Sequence, residues 1–315
     1  MKVYSLAPNE NWIVDRIVEE FNRGNHDIAT TIPEDADVLW IAAEWCWRRI
    51  PMNLLQTKNV VTTIHHIVEE KFDRDAQIDF AMRDDITDVY HVPNEYTCSF
   101  ISKFTKKPIV VIPYWANQNL WSSSEKNKYE LREKFGIPND AYVIGSFQRD
   151  TEGASCDGPN PQPKLEKGPD LLADAIVHWH ETSRWRSDMM GRYGIHVVLA
   201  GWRRQYIIKR LEAANVPYTY FEKPPYRDLR ELYQTLDLYP VTARVEGGPQ
   251  SLIECGLLGI PVVSRPIGIA SHVLSQNAIN ENVTSVIPEV PNVNGLTLPD
   301  GFQKYRSLFE GLHNG

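Results

Sequence analysis

Short runs of apolar, mostly β-branched residues recur along this chain, each followed by a stretch with helical periodicity. In the first part these are "KVYSLA", "ADVLWIA", "NVVTTIHH", "VYHVP" and "PIVVIP". In the second they are "AYVIGSF", "IHVVLAG", "PYTYF", "LDLYPV" and "IPVVS". Near-continuous apolar strands alternating with helices predict parallel sheets covered on both faces. "NWIVDRIVEEFNRG" is such a helix, with Trp12, Ile13, Ile17 and Phe21 on one side and Gly24 closing it. A polar stretch, "ANQNLWSSSEKNK" at 116–128, separates the two series and reads as an interdomain connection. At 315 residues the chain is too long for one small core. The expectation is an α/β chain of two doubly wound, Rossmann-like domains facing a central cleft. They span residues 1–118 and 119–298, with a helix over 299–315 that could cross back to the first domain.

Composition narrows the partners. The net charge is −8, and residues 1–118 hold 12 Lys/Arg against 18 Asp/Glu. Nucleic acid requires a basic footprint, and anionic lipid would repel the acidic first domain. No run reaches the roughly 18 apolar residues of a membrane span, and "MKVYSLAP" is too short an apolar start for a signal peptide. Cys46, Cys98, Cys156 and Cys255 are scattered without metal-ligand spacing, as free thiols in a reducing, cytoplasmic setting would be.

Ligands of open α/β sheets bind beyond the carboxyl ends of the strands. After the strand ending at Val241 comes "EGGPQSLIE" (Glu246 to Glu254). Gly247 and Gly248 allow close backbone approach, and Pro249 suits the first turn of a helix that Gly259 stops. The free amides at that helix start form a phosphate-binding element. Glu254 falls in the second turn among Leu252, Ile253 and Leu257, and a buried carboxylate needs donors. Ligand hydroxyls such as a ribose diol would serve; so would a salt bridge to Arg244 or Arg265. After Phe147, "SFQRD" brings Arg149, and "PKLEKGPDLL" brings Lys167 just before Gly168 and Pro169 open a helix. An Arg at a strand end and a Lys at the next helix start can grip a diphosphate. Between them, "DTEGASCDGPNPQP" has the composition of a mobile surface loop or lid. His65 and His66 end a strand of the first domain, where one could bond a substrate hydroxyl and either could equally be a core histidine. Gly201, Trp202 and Tyr226, in "AGWRRQY" and "KPPYRDL", are further candidates, framing a nucleobase. The aromatic "AAEWCWRRIP" and the "YW" at 114–115 are candidates to line a ligand cleft.

These motifs resemble the retaining glycosyltransferases of family 4 (glycosyl transferases group 1). Their hallmark is two glutamates separated by seven residues, then "G-x-P-V-V", and this chain has "EGGPQSLIECGLLGIPVVS". The family's Arg and Lys look like Arg149 and Lys167, its strand-end His like His65, and its "IPNGVD" like "IPYWAN". The resemblance implies the GT-B fold, with an acceptor-side first domain and a nucleotide-sugar-binding second domain. It implies that Glu246 contacts the transferred sugar and Glu254 the ribose. Arg149 and Lys167 would hold the diphosphate, with the backbone from Gly247 and Gly248 through Gln250 and Ser251 completing the site. His65 would orient the sugar or the acceptor. No divalent metal or other cofactor is implied, because cationic side chains and a helix end stabilise the departing diphosphate. The partners are then a nucleoside-diphosphate-sugar donor and an acceptor glycan or small molecule. The chain departs from the pattern with "LAPNENW" in place of a Gly-Gly loop, Gln148 in place of a Gly, and Gly248-Pro249 in place of Phe-Gly.

Rival readings are a catalytically inactive sugar-nucleotide-binding module and a nucleotide-sugar epimerase of the same fold. The metal-dependent GT-A class would use Asp-x-Asp, but Asp35–Asp37 precedes a strand, at the wrong end of the sheet. A dehydrogenase would need G-x-G-x-x-G after the first strand, and none is present.

Overall fold

A computed structural model describes residues 1–10, 13–182 and 194–314. Trp12 lies outside the described residues. The chain divides into two units, Met1–Trp115 with Gly295–Gly315, and Ala116–Asn294.

The first unit is built on a six-stranded parallel sheet: β1 (Val3–Leu6), β2 (Ala29–Thr30), β3 (Val38–Ile41), β4 (Asn59–Thr63), β5 (Val89–Val92) and β6 (Ile109–Val111). Their spatial order is β2-β1-β3-β4-β5-β6. Every residue of β3 and β5 is buried, as strands covered on both faces require. One cover is the helix Ile13–Gly24, which buries Val14, Ile17, Val18 and Phe21. Another is the helix Asp300–Asn314, whose Tyr305 and Phe309 are fully buried. Phe309 meets Phe21 edge-on at 5.5 Å and Tyr305 meets Trp115 edge-on at 5.1 Å, a geometry aromatic pairs favour, while Tyr305 lies tilted 5.3 Å from Trp40. The buried Trp115 indole is matched: its Nε1 donates to Glu20 Oε2 at 2.8 Å.

The second unit carries β7 (Tyr142–Ser146), β8 (Ile195–Gly201), β9 (Tyr218–Glu222), β10 (Tyr239–Val241) and β11 (Val262–Ser264). Parallel ladders β7-β8-β9 and β10-β11 are joined by a parallel bridge between Ile144 and Leu238. The resulting order, β9-β8-β7-β10-β11, is the 3-2-1-4-5 arrangement of a Rossmann-like fold. The run "LDLYPV" contributes regular pairing only from Tyr239. Ahead of it Asp237 spends its carboxylate on the Val143 amide (2.9 Å) and on the buried Arg132 (2.7 Å). The polar stretch after Ala116 is packed against this unit. Trp121 is buried 5.6 Å from Tyr233, and the Ser124 amide donates to Gln234 Oε1 at 2.7 Å. The chain is thus α/β with two Rossmann-like units. Because each unit's strands run parallel, the loops after them gather on one side of that unit.

Candidate functional site

In the second unit the loops after β7 and β10, two neighbouring strands, are laced together by backbone. The amides of Arg244 and Val245 both donate to the Glu166 carbonyl, at 2.9 and 3.1 Å. Arg244 forks onto Asp170 at 2.7 and 2.6 Å, a bidentate grip. Gly168 is what lets the loops approach: its φ is +60°, and a Cβ there would fall 2.0 Å from the Thr242 carbonyl oxygen.

That closeness brings Lys167 to Glu246, with Nζ 2.7 Å from Oε1. Both side chains are partly buried. Gln148, at the position where the resemblance expects glycine, donates from Nε2 to the Lys167 carbonyl at 2.8 Å. Arg149 behaves differently. It is exposed and makes no hydrogen bond or ion pair with any described residue.

The helix after Pro249 runs Gln250–Leu258 and stops at Gly259, which has φ +70°. Gln250 and Ser251 stand in its first turn, after Gly247 and Gly248. Glu254 is 7% exposed and accepts from the Tyr233 hydroxyl at 2.8 Å. The salt-bridge alternative fails: Arg244 is committed to Asp170 and the Leu165 carbonyl, and Arg265 to Glu281 and the Ala243 carbonyl. Beneath Glu254 lies an aromatic floor, with Phe147 4.6 Å and Tyr239 5.4 Å from Tyr233. Burial, and then the Glu254 charge, push the Tyr233 hydroxyl well above its usual range, so it stays a donor. Tyr233 is missing from the sequence reading. The signal for it was the i, i+7 spacing of Tyr226 and Tyr233, both of which meet Trp121.

The insertion between Asp150 and Pro163 departs from its composition. Thr151 and Pro163 form an antiparallel bridge, and the Lys164 amide donates to the Asp150 carbonyl at 2.7 Å. Its base is fixed by Arg204, fully buried, whose Nε meets Asp150 Oδ2 at 2.5 Å. The same guanidinium reaches the Ser146 and Ala200 carbonyls, tying the insertion to the ends of β7 and β8. One buried charge pair anchors the base of this loop, whose glycine and proline content predicts mobility.

After Gly201 (φ +106°), Trp202 is 42% exposed, with the Arg203 guanidinium 3.9 Å and Lys223 Nζ 4.4 Å from its ring centroid. Arg203 and Lys223 both have positive φ, +57° and +45°, a strain of about 1–3 kcal/mol each that the local structure must offset. Tyr226 opens the helix Tyr226–Tyr233 and is exposed.

In the first unit, His65 and His66 follow β4. Both ring nitrogens of His65 are used internally: Nε2–H donates to the Ala42 carbonyl at 2.9 Å, so Nδ1 accepts from the Tyr114 hydroxyl. Burial, with His66 nearby, lowers its pKa to about 3, so the ring is neutral at any ordinary pH. The pair "YW" does not line an open surface: Tyr114 is on His65, and Trp115 is at 0% exposure on Glu20. Within Glu44–Arg49, Trp47 is buried while Trp45 is exposed. Glu44 has its carboxyl pushed up to about 7 by burial, which outweighs the pull of Arg83. Its Oε2 has no hydrogen-bond partner among the described residues. Asp37 accepts from the Lys2 amide at 2.7 Å, ahead of β3, so the Asp-x-Asp letters serve a strand start.

Residues 163–292 match the family described as glycosyl transferases group 1. No curated protein matches the chain. Among solved structures it is similar to Anabaena Alr3699/HepE in complex with UDP (TM-score 0.65, 14% identity, covering 90% of this chain and 87% of that one). It is also similar to a glycosyltransferase from Rickettsia africae ESF-5 (TM-score 0.60, 11% identity, covering 98% and 83%). A third likeness is to the sucrose-phosphate synthase of Thermosynechococcus elongatus (TM-score 0.57, 12% identity, covering 95% and 75%). At such identities the likeness is one of fold. The second unit thus matches the glycosyl transferases group 1 family over residues 163–292, and the chain has the GT-B fold of two Rossmann-like units.

Proposed function

We propose that the protein is a retaining, metal-independent glycosyltransferase of the family 4 kind, moving a sugar from a nucleoside-diphosphate donor to an acceptor hydroxyl. The observation that carries this reading is the loop pair after β7 and β10. It holds an exposed Arg149 without a partner among the described residues and a Lys167 held against Glu246. A diphosphate supplies the anion that Arg149 lacks, and sugar hydroxyls supply donors to Glu246. The Anabaena protein binds UDP, so uridine diphosphate is the first nucleotide to test.

In this reading the second unit binds donor and the first binds acceptor. The C1–oxygen bond to the diphosphate breaks, and its electron pair leaves with the phosphate oxygen. Arg149, Lys167 and the amides from Gly247 and Gly248 to Gln250 and Ser251 stabilise that charge without a divalent ion. The acceptor oxygen bonds C1 on the same face, and its proton passes to the departing diphosphate. Glu246 holds sugar hydroxyls, and Glu254, with Tyr233 behind it, holds the ribose. Trp202 and Tyr226 border the base. His65, neutral and bonded at both nitrogens, acts as a fixed support on the acceptor side, where His66 continues the loop. Four free cysteines fit a cytoplasmic setting, and no helix of the described residues is long and apolar enough to cross a membrane.

The test is turnover with and without chelator. Purified protein given UDP-glucose and related donors should release nucleoside diphosphate slowly alone and faster with acceptor, in EDTA as well as without it. The anomeric configuration of the product, read by NMR, should equal that of the donor. Binding without any release across the donor panel would make the chain an inert module, and sugar interconversion without acceptor would make it an epimerase.

A further inference from the structure

The 3₁₀ segment Glu44–Arg49 follows β3 and turns one of its two tryptophans into the core and the other outward. Trp45 is 42% exposed, yet it is held. Its Nε1 donates to Glu10 Oε1 at 3.2 Å, and its ring leans on His65 with centroids 5.7 Å apart. His65 is itself fixed through both nitrogens. The loop that carries Glu10 is fixed as well. The amides of Asn9 (φ +58°) and Glu10 donate to Asp15, at 2.7 and 2.8 Å, and Arg49 Nη1 donates to the Pro8 carbonyl at 2.8 Å. Trp45 is thus an exposed aromatic ring fixed in place on two sides, by Glu10 at its indole nitrogen and by His65 against its ring.

We propose that Trp45 is a stacking platform for a sugar ring, and that the acceptor of the transfer proposed above is therefore a saccharide; the inference rests on that reading for the word acceptor, not for the binding. A pyranose presents one face of C–H groups and a rim of hydroxyls. Laid on the indole, it buries the C–H face against an electron-rich ring while its rim meets the carboxylate at the indole's edge. Glu10 suits that task, since its Oε2 has no hydrogen-bond partner among the described residues. An alkyl chain on the same ring would cover the Glu10 carboxylate without giving it a donor, a costly exchange. An anionic acceptor would meet the charges of Glu10 and Asp15. Trp45 also lies where ligands of open parallel sheets bind, beyond the carboxyl end of its strand.

The experiment uses the full-length protein and a panel of methyl α- and β-glucosides, galactosides and mannosides, with cellobiose, maltose and N-acetylglucosamine. Saturation-transfer NMR should show ring protons of at least one saccharide in contact with the wild type. Trp45→Ala should lose that signal and raise the saccharide KM about tenfold or more, the scale of one lost aromatic contact. Trp45→Phe should retain part of both, and the affinity for UDP should be the same in all three. Trp45→Phe also separates loss of the platform from loss of folding. No saccharide binding by the wild type, or binding by Trp45→Ala equal to wild type, overturns the proposal. Trp45-dependent saccharide binding with no release from any nucleotide-sugar would leave the platform standing and remove the transfer reading. Transfer to a non-sugar hydroxyl, insensitive to Trp45→Ala, would do the reverse.

Discussion

Lys167 and Glu246 pair across 2.7 Å, so a single ion pair holds both signs of charge that a sugar diphosphate would engage. A donor has to draw the ammonium toward phosphate and leave the carboxylate to the hydroxyls. Glu246→Gln removes the competitor for Lys167. We expect UDP to bind the variant as tightly as wild type or a few-fold tighter, while transfer falls by about 100-fold or more, as expected when an interaction with the reacting sugar is removed. Isothermal titration and a UDP-release assay read the two effects, and parallel loss of both would assign Glu246 to the nucleotide or to the fold.

Arg149 and Lys167 should differ in kind. Arg149→Ala removes an exposed side chain with no partner among the described residues, so stability should be unchanged while UDP binding weakens by about 1.5–3 kcal/mol. Lys167→Ala should weaken it by more, because Glu246 is left as an uncompensated charge facing the phosphate. Equal affinity of both variants and wild type, by titration calorimetry, would remove the diphosphate assignment.

Tyr233→Phe deletes the hydroxyl that reaches Glu254. The carboxylate is buried, so losing this donor should cost about 1–3 kcal/mol of stability in urea unfolding and weaken UDP binding as well. Stability equal to wild type would mean that the hydroxyl is not needed to hold Glu254.

The buried pair Asp150–Arg204 makes the insertion part of the second unit. Arg204→Ala should destabilise that unit by about 3–5 kcal/mol and expose residues 151–163 to limited proteolysis. Unchanged proteolysis there would show that the bridge between Thr151 and Pro163 suffices.

Glu44 and His65 set opposite pH slopes. The Glu44 carboxyl is raised from 4.5 to about 7, so between those values the native state holds a proton that the unfolded chain has released, and stability falls as pH rises. Glu44→Gln should therefore be more stable than wild type at pH 8, by an amount on the order of 2–3 kcal/mol that vanishes near pH 4.5. His65 and His91, lowered from 6.5 to about 3 and about 4, act in the other direction, and stability is lost as pH falls below 6.5. Chemical denaturation at pH 5, 6.5 and 8 checks both signs.

The strands were legible because a parallel strand buried on both faces is written as an apolar run, and every such run carries one. The Glu246–Glu254 segment was legible for a similar local reason, since glycines, a proline and a helix stop sit within a few residues. What escaped were partnerships between distant residues. Nothing near Glu254 points to Tyr233, and nothing in "DTEGASCDGPNPQP" announces that Asp150 meets Arg204 across 54 positions. The aromatic "YW" misled for the same reason: Trp115 looked like a cleft residue until Glu20, 95 positions away, supplied its buried hydrogen bond. His65 was found by its place at a strand end, but the two bonds that occupy its ring were not foreseeable from neighbours in sequence.

The core of the first unit is completed by Tyr305 and Phe309, which follow all 179 residues of the second unit from Ala116 to Asn294 in the chain. On the ribosome the usual order of maturation is then inverted. The amino-terminal segment leaves the tunnel first but waits, with Trp40 and Phe21 uncovered, while the later unit can close its own core ahead of it. A premature stop between residues 295 and 300 would release a chain whose second unit is whole and whose first unit lacks Tyr305 and Phe309. Chaperone demand during synthesis should fall on the segment up to Trp115, made ahead of the second unit and completed after it.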